Sequence, residues 1–252
     1  MVGAKKDVVS WGQIVIVVGL FILALLPRVL ALNVFLTPDE TVWMKGVRSF
    51  LTSVLRRDWA ATFWIGYPGM PVVEGAAAGL VVQYWLAGAG STGLGLHSFV
   101  EAQFQHITNI LAVMRLPVVL YTSASVVGSY LLLRKLFNAR IALLSGILLA
   151  LDPDYLAHSR IIHGDAAMSS FMLLSLLAFL VYLTHRSRLR YAVLAAITSG
   201  LAFSVKLSSL PLAFFIPLLC LGVYLWERLS PRLSPSLTPG PSPTGRGEKA
   251  PA

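Results

Sequence analysis

The run WGQIVIVVGLFILALLPRVLAL at residues 11–32, followed by TPDE at 37–40, decides how the chain is read. About twenty apolar residues are what an α-helix needs to cross the hydrocarbon core of a bilayer. Lys5 and Lys6 precede the run, and two adjacent carboxylates, Asp39 and Glu40, stand just beyond its end. A carboxylate near the bilayer centre costs about 2.5 kcal/mol or more, so the pair belongs at the water interface. Pro38 biases Thr37 away from helix and so fixes the helix exit close by. From these residues alone, the pair is either a boundary marker or part of a site. A cleaved signal peptide would share the basic start, but this run is long and further apolar spans follow it.

Composition agrees with a membrane protein. Of 252 residues, 56% are hydrophobic and 12% charged, whereas water-soluble domains carry about 25% charged residues. The mean hydropathy is +0.75. The expected fold is all-α, a polytopic helical membrane protein of about six transmembrane helices. The net charge of +9 could suggest nucleic acid, but the basic residues cluster in short loops between apolar runs, as membrane topology requires. No nucleic-acid partner is therefore expected. Cys220 is the only cysteine and lies inside an apolar run, which leaves no intrachain disulfide and a packing role. No zinc-type spacing is present, and a divalent metal is left open.

Beyond the first span the chain is mixed as far as about residue 108. Trp43, Val47, Phe50, Leu51 and Val54 recur at helical spacing, with Lys45, Arg48, Arg56 and Arg57 on the other positions. That pattern predicts an amphipathic helix lying in the interface. The stretch from Trp64 to Pro71 turns on its Pro and Gly residues. Residues 72–87 are apolar but short and carry Glu74 and Gln83, so they read as a surface or re-entrant helix, a full span being the alternative. Gly88 to Gly95 is a glycine-rich loop, with His97, Glu101 and His106 beyond it. The two histidines read as solvated loop residues, metal ligation being the other reading.

Five further spans are predicted over about 110–133, 141–155, 166–183, 191–205 and 210–226. With the N-terminus inside, Arg134, Lys135 and Arg140, then Arg186, Arg188 and Arg190, then Arg228 and Arg232 all fall on the cytoplasmic face. Asp39, Glu40, Asp152, Asp154, Arg160, His163, Asp165 and Lys206 then gather at the opposite, outer face. Random loop charge has no reason to do this. Residues 1–229 read as one transmembrane module. Residues 230–252 form a Pro/Ser/Gly-rich tail that cannot build a core and is expected to be disordered. Its TPGPSPTGRGE string looks like a translated bacterial repeat element, as if the reading frame ran past the end of a gene.

Four features, in order, resemble the N-terminal half of the GT-C membrane glycosyltransferases. They are Asp39-Glu40 after the first helix, an interfacial helix leading to the Tyr67–Pro71 turn, Arg115-Leu116-Pro117 at the second helix, and Asp152-Pro153 with Ser159-Arg160 and Asp165. Gly200-Leu201-Ala202 and Lys206 follow. The branch most similar in this order is the protein O-mannosyltransferase and aminoarabinose-transferase superfamily, and the likeness covers residue 10 to about residue 228. The resemblance implies transfer of a sugar from a polyprenyl-phosphate carrier to an acceptor protein, lipid or glycan. It places the chain in the inner (plasma) membrane as a multi-pass protein, its N-terminus cytoplasmic and its active site extracytoplasmic.

The same resemblance assigns roles. Asp39 is the candidate general base, with Glu40 orienting the acceptor or the base. Arg160, Lys206 and Arg115 are candidates for stabilising the leaving phosphate, Arg115 serving equally well as an interfacial anchor. Asp165 would orient Arg160 or the acceptor. His163 is either a direct participant or a polar residue at a helix start, and Tyr67 joins the substrate-binding set. Direct displacement implies inversion at the anomeric carbon. The Lys-Pro-Pro that some relatives carry at the turn is here Gly66-Tyr67-Pro68-Gly69, so that lysine's role has no bearer. Whole relatives carry additional spans and often a soluble domain. A truncated non-catalytic scaffold or pseudoenzyme fragment is therefore the alternative. A transporter fits less well, since its ionisable residues would lie near mid-membrane between repeated halves.

Overall fold

The computed structural model describes residues 10–63, 69–184 and 189–233, and among them the chain is helical throughout, without strands. The first helix, α1 (Trp11–Val29), opens with a capping box: Ser10 Oγ accepts from the Gln13 amide and Gln13 Oε1 from the Ser10 amide. The interfacial helix α2 (Pro38–Leu55) begins at the predicted exit, with Pro38 in its first turn and Thr37 as N-cap. Its buried face holds Val47 and Leu51 from the predicted apolar side, and Met44 beside them. After a 3₁₀ turn at Ala60–Thr62 comes α3 (Met70–Leu86), and then α4 (Leu96–Phe104). His97 thus sits on a short helix, with Glu101 one turn on, rather than in the expected loop, whereas His106 lies between this helix and the next.

The central element is α5 (Ile107–Leu136), thirty residues and so about 45 Å long. It is packed by α1, α3, α4, α6 (Ala139–Leu151) and α8 (Gly164–Thr184). The predicted third span was carried to Tyr155, but it stops at Leu151 because Asp152 takes an extended backbone before Pro153 and caps a new short helix, α7 (Pro153–His158). Asp152 Oδ1 accepts from the Tyr155 amide at 2.7 Å. The helices end with α9 (Leu189–Val205), a 3₁₀ turn at Leu207–Ser209 and α10 (Pro211–Leu233). Among the described residues four segments are long and apolar enough to cross a membrane: α1, α5, α8 and Leu207–Trp226. The other two expected spans, α6 and α9, are apolar but shorter, at thirteen and seventeen residues.

The chain to Leu212 forms one compact unit, and Ala213 begins a second, whose described part is the remainder of α10. That helix reaches Leu233, past the expected start of the tail, and residues 234–252 lie outside the described residues. Within the first unit, small residues fill the helix contacts. Ala24, Ala142 and Ala150 join α1 to α6, and Ala76 and Ala77 bring α3 onto α5. Small side chains are what let helix backbones approach when lipid supplies no hydrophobic drive for association. Gly79 is the closest case: a Cβ there would lie 2.7 Å from the Val113 carbonyl oxygen and 3.1 Å from its Cγ1. Backbone cannot move aside as a flexible side chain can. Gly79→Ala is therefore expected to destabilise the unit by about 1–3 kcal/mol, read as a lower unfolding midpoint of the detergent-solubilised protein.

Candidate functional site

The site is built on a buried ion pair. Glu40, at the third position of α2, is wholly buried and Arg115 of α5 is 3% exposed. Glu40 Oε1 accepts from Arg115 Nε at 2.7 Å and from the Ile162 amide at 2.9 Å. Its Oε2 accepts from Arg115 Nη2 at 2.6 Å, the Thr37 amide at 3.0 Å and Thr37 Oγ1 at 3.1 Å. Burial pushes this carboxyl's pKa up, but Arg115, Thr37 and Ile162 together outweigh it and hold the group below the usual glutamate range.

Arg115 is equally committed. Besides its two bonds to Glu40, Nη1 donates to the carbonyls of Leu32 (2.7 Å) and Val34 (3.2 Å), and Nη2 to that of Phe35 (2.6 Å). A guanidinium has five N–H donors, and all five are engaged. The carbonyls come from a turn in which Ala31 and Phe35 both take left-handed backbone, an arrangement costing on the order of 1–3 kcal/mol per residue. Arg115 is what holds that turn.

With Glu40 turned inward, Asp39, a hundred degrees away on the helix, is exposed and makes no hydrogen bond through its carboxylate among the described residues. One turn further on, Trp43 sits edge-on to His163, their rings 5.6 Å apart. His163 Nδ1 lies 3.3 Å from Asp165 Oδ2, and Asp165 Oδ1 receives Lys206 Nζ at 2.6 Å. Burial holds the His163 pKa below its ordinary value; Asp165 and Asp39 oppose that shift, and Lys206 and His158 add to it. The imidazole is therefore neutral at pH 7, in electrostatic reach of Asp39. Gly69, with φ +55°, donates its amide to the Val205 carbonyl at 2.9 Å and so ties the start of α3 to the residue before Lys206. Arg160 is half-buried and donates through Nη2 to the Leu30 carbonyl.

Most of the residues singled out from sequence thus meet around the first turn of α2. Asp165 is bound to Lys206 and approached by His163, with no bond to Arg160 among the described residues. Asp152 is a helix cap, and Asp154 pairs with His158 at an exposed turn. Tyr67 lies outside the described residues. Among those residues no three His, Cys, Asp or Glu side chains group as metal ligands.

Two residues escaped the sequence reading. Trp43 was assigned only to an apolar helix face, although its place four residues after Asp39 puts it on the same side of α2. Arg28, inside the first apolar run, is wholly buried. Its Nη1 donates to the carbonyls of Ala24 (2.7 Å) and Ala150 (2.9 Å), and its guanidinium stands 5.1 Å from the Tyr155 ring. A lone charge in an apolar span was the available signal.

A family model described as dolichyl-phosphate-mannose-protein mannosyltransferase matches residues 96–233. The match includes Arg115, Arg160, His163, Asp165 and Lys206 and begins after Asp39 and Glu40. No curated protein and no solved structure matches the chain.

Removing one member of a buried pair leaves the other uncompensated, which costs about 3–5 kcal/mol. Glu40→Gln and Arg115→Met are each expected to lower stability by that order, and the double variant by much less than the sum. Unfolding midpoints in detergent measure this cycle. Because the folded-state pKa of Glu40 is depressed, its contribution is fully present above the ordinary glutamate pKa. It is lost as pH falls below about 4, where the unfolded chain takes up the proton first; the Glu40→Gln protein should lack that acid limb.

Proposed function

The chain belongs to the dolichyl-phosphate-mannose-protein mannosyltransferase family, and from that premise we propose that it transfers a sugar from a polyprenyl-phosphate donor to an acceptor hydroxyl, with Asp39 as general base. The observation that carries this reading is the contrast between neighbours. Glu40 is locked inside by five hydrogen bonds, so Asp39 is presented on the helix surface, free to accept a proton and fixed in position. A hydroxyl is a poor nucleophile until a base within hydrogen-bond reach takes its proton.

In the proposed step the acceptor oxygen bonds to the anomeric carbon as Asp39 takes its proton. The bond from that carbon to the phosphate oxygen breaks, and the polyprenyl phosphate leaves with the electron pair. A single displacement of this kind inverts the anomeric centre. Developing charge on the leaving phosphate calls for fixed cations. Lys206 has two N–H groups beyond its bond to Asp165, and Arg160 has donors beyond its bond to Leu30 that meet no partner among the described residues. Arg115 has none to give, so its role is to set the turn and Glu40. Neutral His163, in reach of Asp39, is suited to hydrogen-bond a hydroxyl of the sugar or the acceptor. The basic loops favour a cytoplasmic N-terminus and an extracytoplasmic site. The acceptor is then a protein, lipid or glycan outside the cytoplasm.

The test is transfer of labelled sugar from a polyprenyl-phosphate donor in membranes carrying the full chain. Asp39→Asn should lower turnover about 10²–10⁴-fold, with expression and unfolding midpoint unchanged because the side chain makes no hydrogen bond among the described residues. Retained turnover in that variant would remove Asp39 as the base.

A further inference from the structure

A second cluster of donors lies further along α2, away from Asp39. A groove of about 600 Å³ runs between the outward face of α2 and α4. Its α2 wall carries Lys45, Ser49, Thr52 and Arg56, at steps of four, three and four residues. That spacing keeps them on one face, opposite the buried Met44, Val47 and Leu51. On the α4 side, Glu101 is held by Arg48, whose Nε donates at 2.8 Å and whose Nη2 makes a second bond.

The groove's one carboxylate is therefore already paired, and Lys45 and Arg56 remain as surplus cations with no ion-pair partner among the described residues. The hydroxyls of Ser49, Thr52 and Ser53 likewise make no hydrogen bond there, although Ser53 is 7% exposed. Donors without acceptors, in a concave surface, suit an anion bearing several oxygens. Just beyond the basic face the chain exposes Leu55 (43%), Trp59 (68%) and Phe63 (64%). An interfacial aromatic next to cations is the arrangement that meets headgroup phosphate and acyl chain together.

We propose that this groove seats the phosphate headgroup of an anionic phospholipid of the surrounding bilayer, gripped by Lys45 and Arg56 and floored by the Ser49, Thr52 and Ser53 hydroxyls. The groove begins at Lys45, six residues and about 9 Å along the helix from Asp39, and ends at Arg56, about 26 Å away; none of its lining residues is among those assigned to sugar transfer, so the proposal does not depend on that assignment. A soluble phosphate would explain the donors but not the exposed Leu55, Trp59 and Phe63 beside them.

Native mass spectrometry of the detergent-solubilised full chain, titrated with phosphatidylglycerol or phosphatidylcholine, tests the proposal. One phosphatidylglycerol should be retained in preference to phosphatidylcholine. The Lys45→Gln/Arg56→Gln variant should lose that retention by about thirtyfold, the factor two cations supply near an anionic surface. Arg140→Gln, an exposed cation elsewhere, should retain it, and Ser53→Ala should weaken it without altering the unfolding midpoint. Equal loss in the Arg140→Gln protein, or no preference between the lipids, would overturn the site. Displacement of the lipid by millimolar inorganic phosphate, or by an acidic peptide, would overturn the phospholipid as its occupant.

Discussion

Everything near Asp39 depends on the Arg115–Glu40 pair. Two charges removed from water are stable only if each remaining lone pair and proton is matched, and here the matching partners come from four separate stretches of chain. Thr37 lies at the start of α2, Leu32, Val34 and Phe35 in the turn before it, Ile162 before α8, and Arg115 itself on the central helix. The pair therefore fixes where α1 ends, where α2 begins and how the loop ahead of α8 approaches. Satisfying a single carboxylate has the effect of assembling the site's walls.

That arrangement divides labour between adjacent residues of like chemistry. Glu40 is unavailable to any substrate, and its pKa is held down by bonds it cannot exchange. Asp39 keeps its lone pairs. Beyond it, the Lys206–Asp165 bond holds one cation and one carboxylate in register beside a neutral imidazole, with Trp43 closing the far side of the ring. Few other polar groups compete there, because the cluster is backed by the main apolar core, to which Val47, Ile162 and Val205 belong.

Much of this was legible beforehand, for identifiable reasons. Apolar run length announced the membrane helices, and the alternation of Trp43, Val47 and Leu51 with Lys45 and Arg48 announced α2. The topological sorting of charge placed Asp39, His163, Asp165 and Lys206 at one end. What stayed hidden were matters of partnership. Sequence could offer Arg115 as a phosphate ligand or an anchor, because only three-dimensional contact reveals that five carbonyl and carboxylate acceptors surround it. Asp165 was expected to orient Arg160 or the acceptor, whereas its bonded partner Lys206 lies 41 residues away. The break at Asp152-Pro153 was masked by the apolar run ahead of it and by Tyr155 and Leu156 just after, and α4 by the glycines that precede it. Arg28 was passed over because one charge barely lowers the hydropathy of so long a run.

Arg28 also bears on the order in which the protein can be put together. Its Nη1 bond to the Ala150 carbonyl spans 122 residues of sequence. While α1 is alone in the membrane, that guanidinium has only its own helix's Ala24 carbonyl and must reach for headgroups or water. The same separation, 122 residues, divides Glu40 from the Ile162 amide. The C-terminal end of the first helix is thus among the earliest parts of the chain to be synthesised, yet it reaches its final form only after more than a hundred further residues have followed. Biogenesis must hold a cation at the membrane boundary until the sixth helix arrives to receive it.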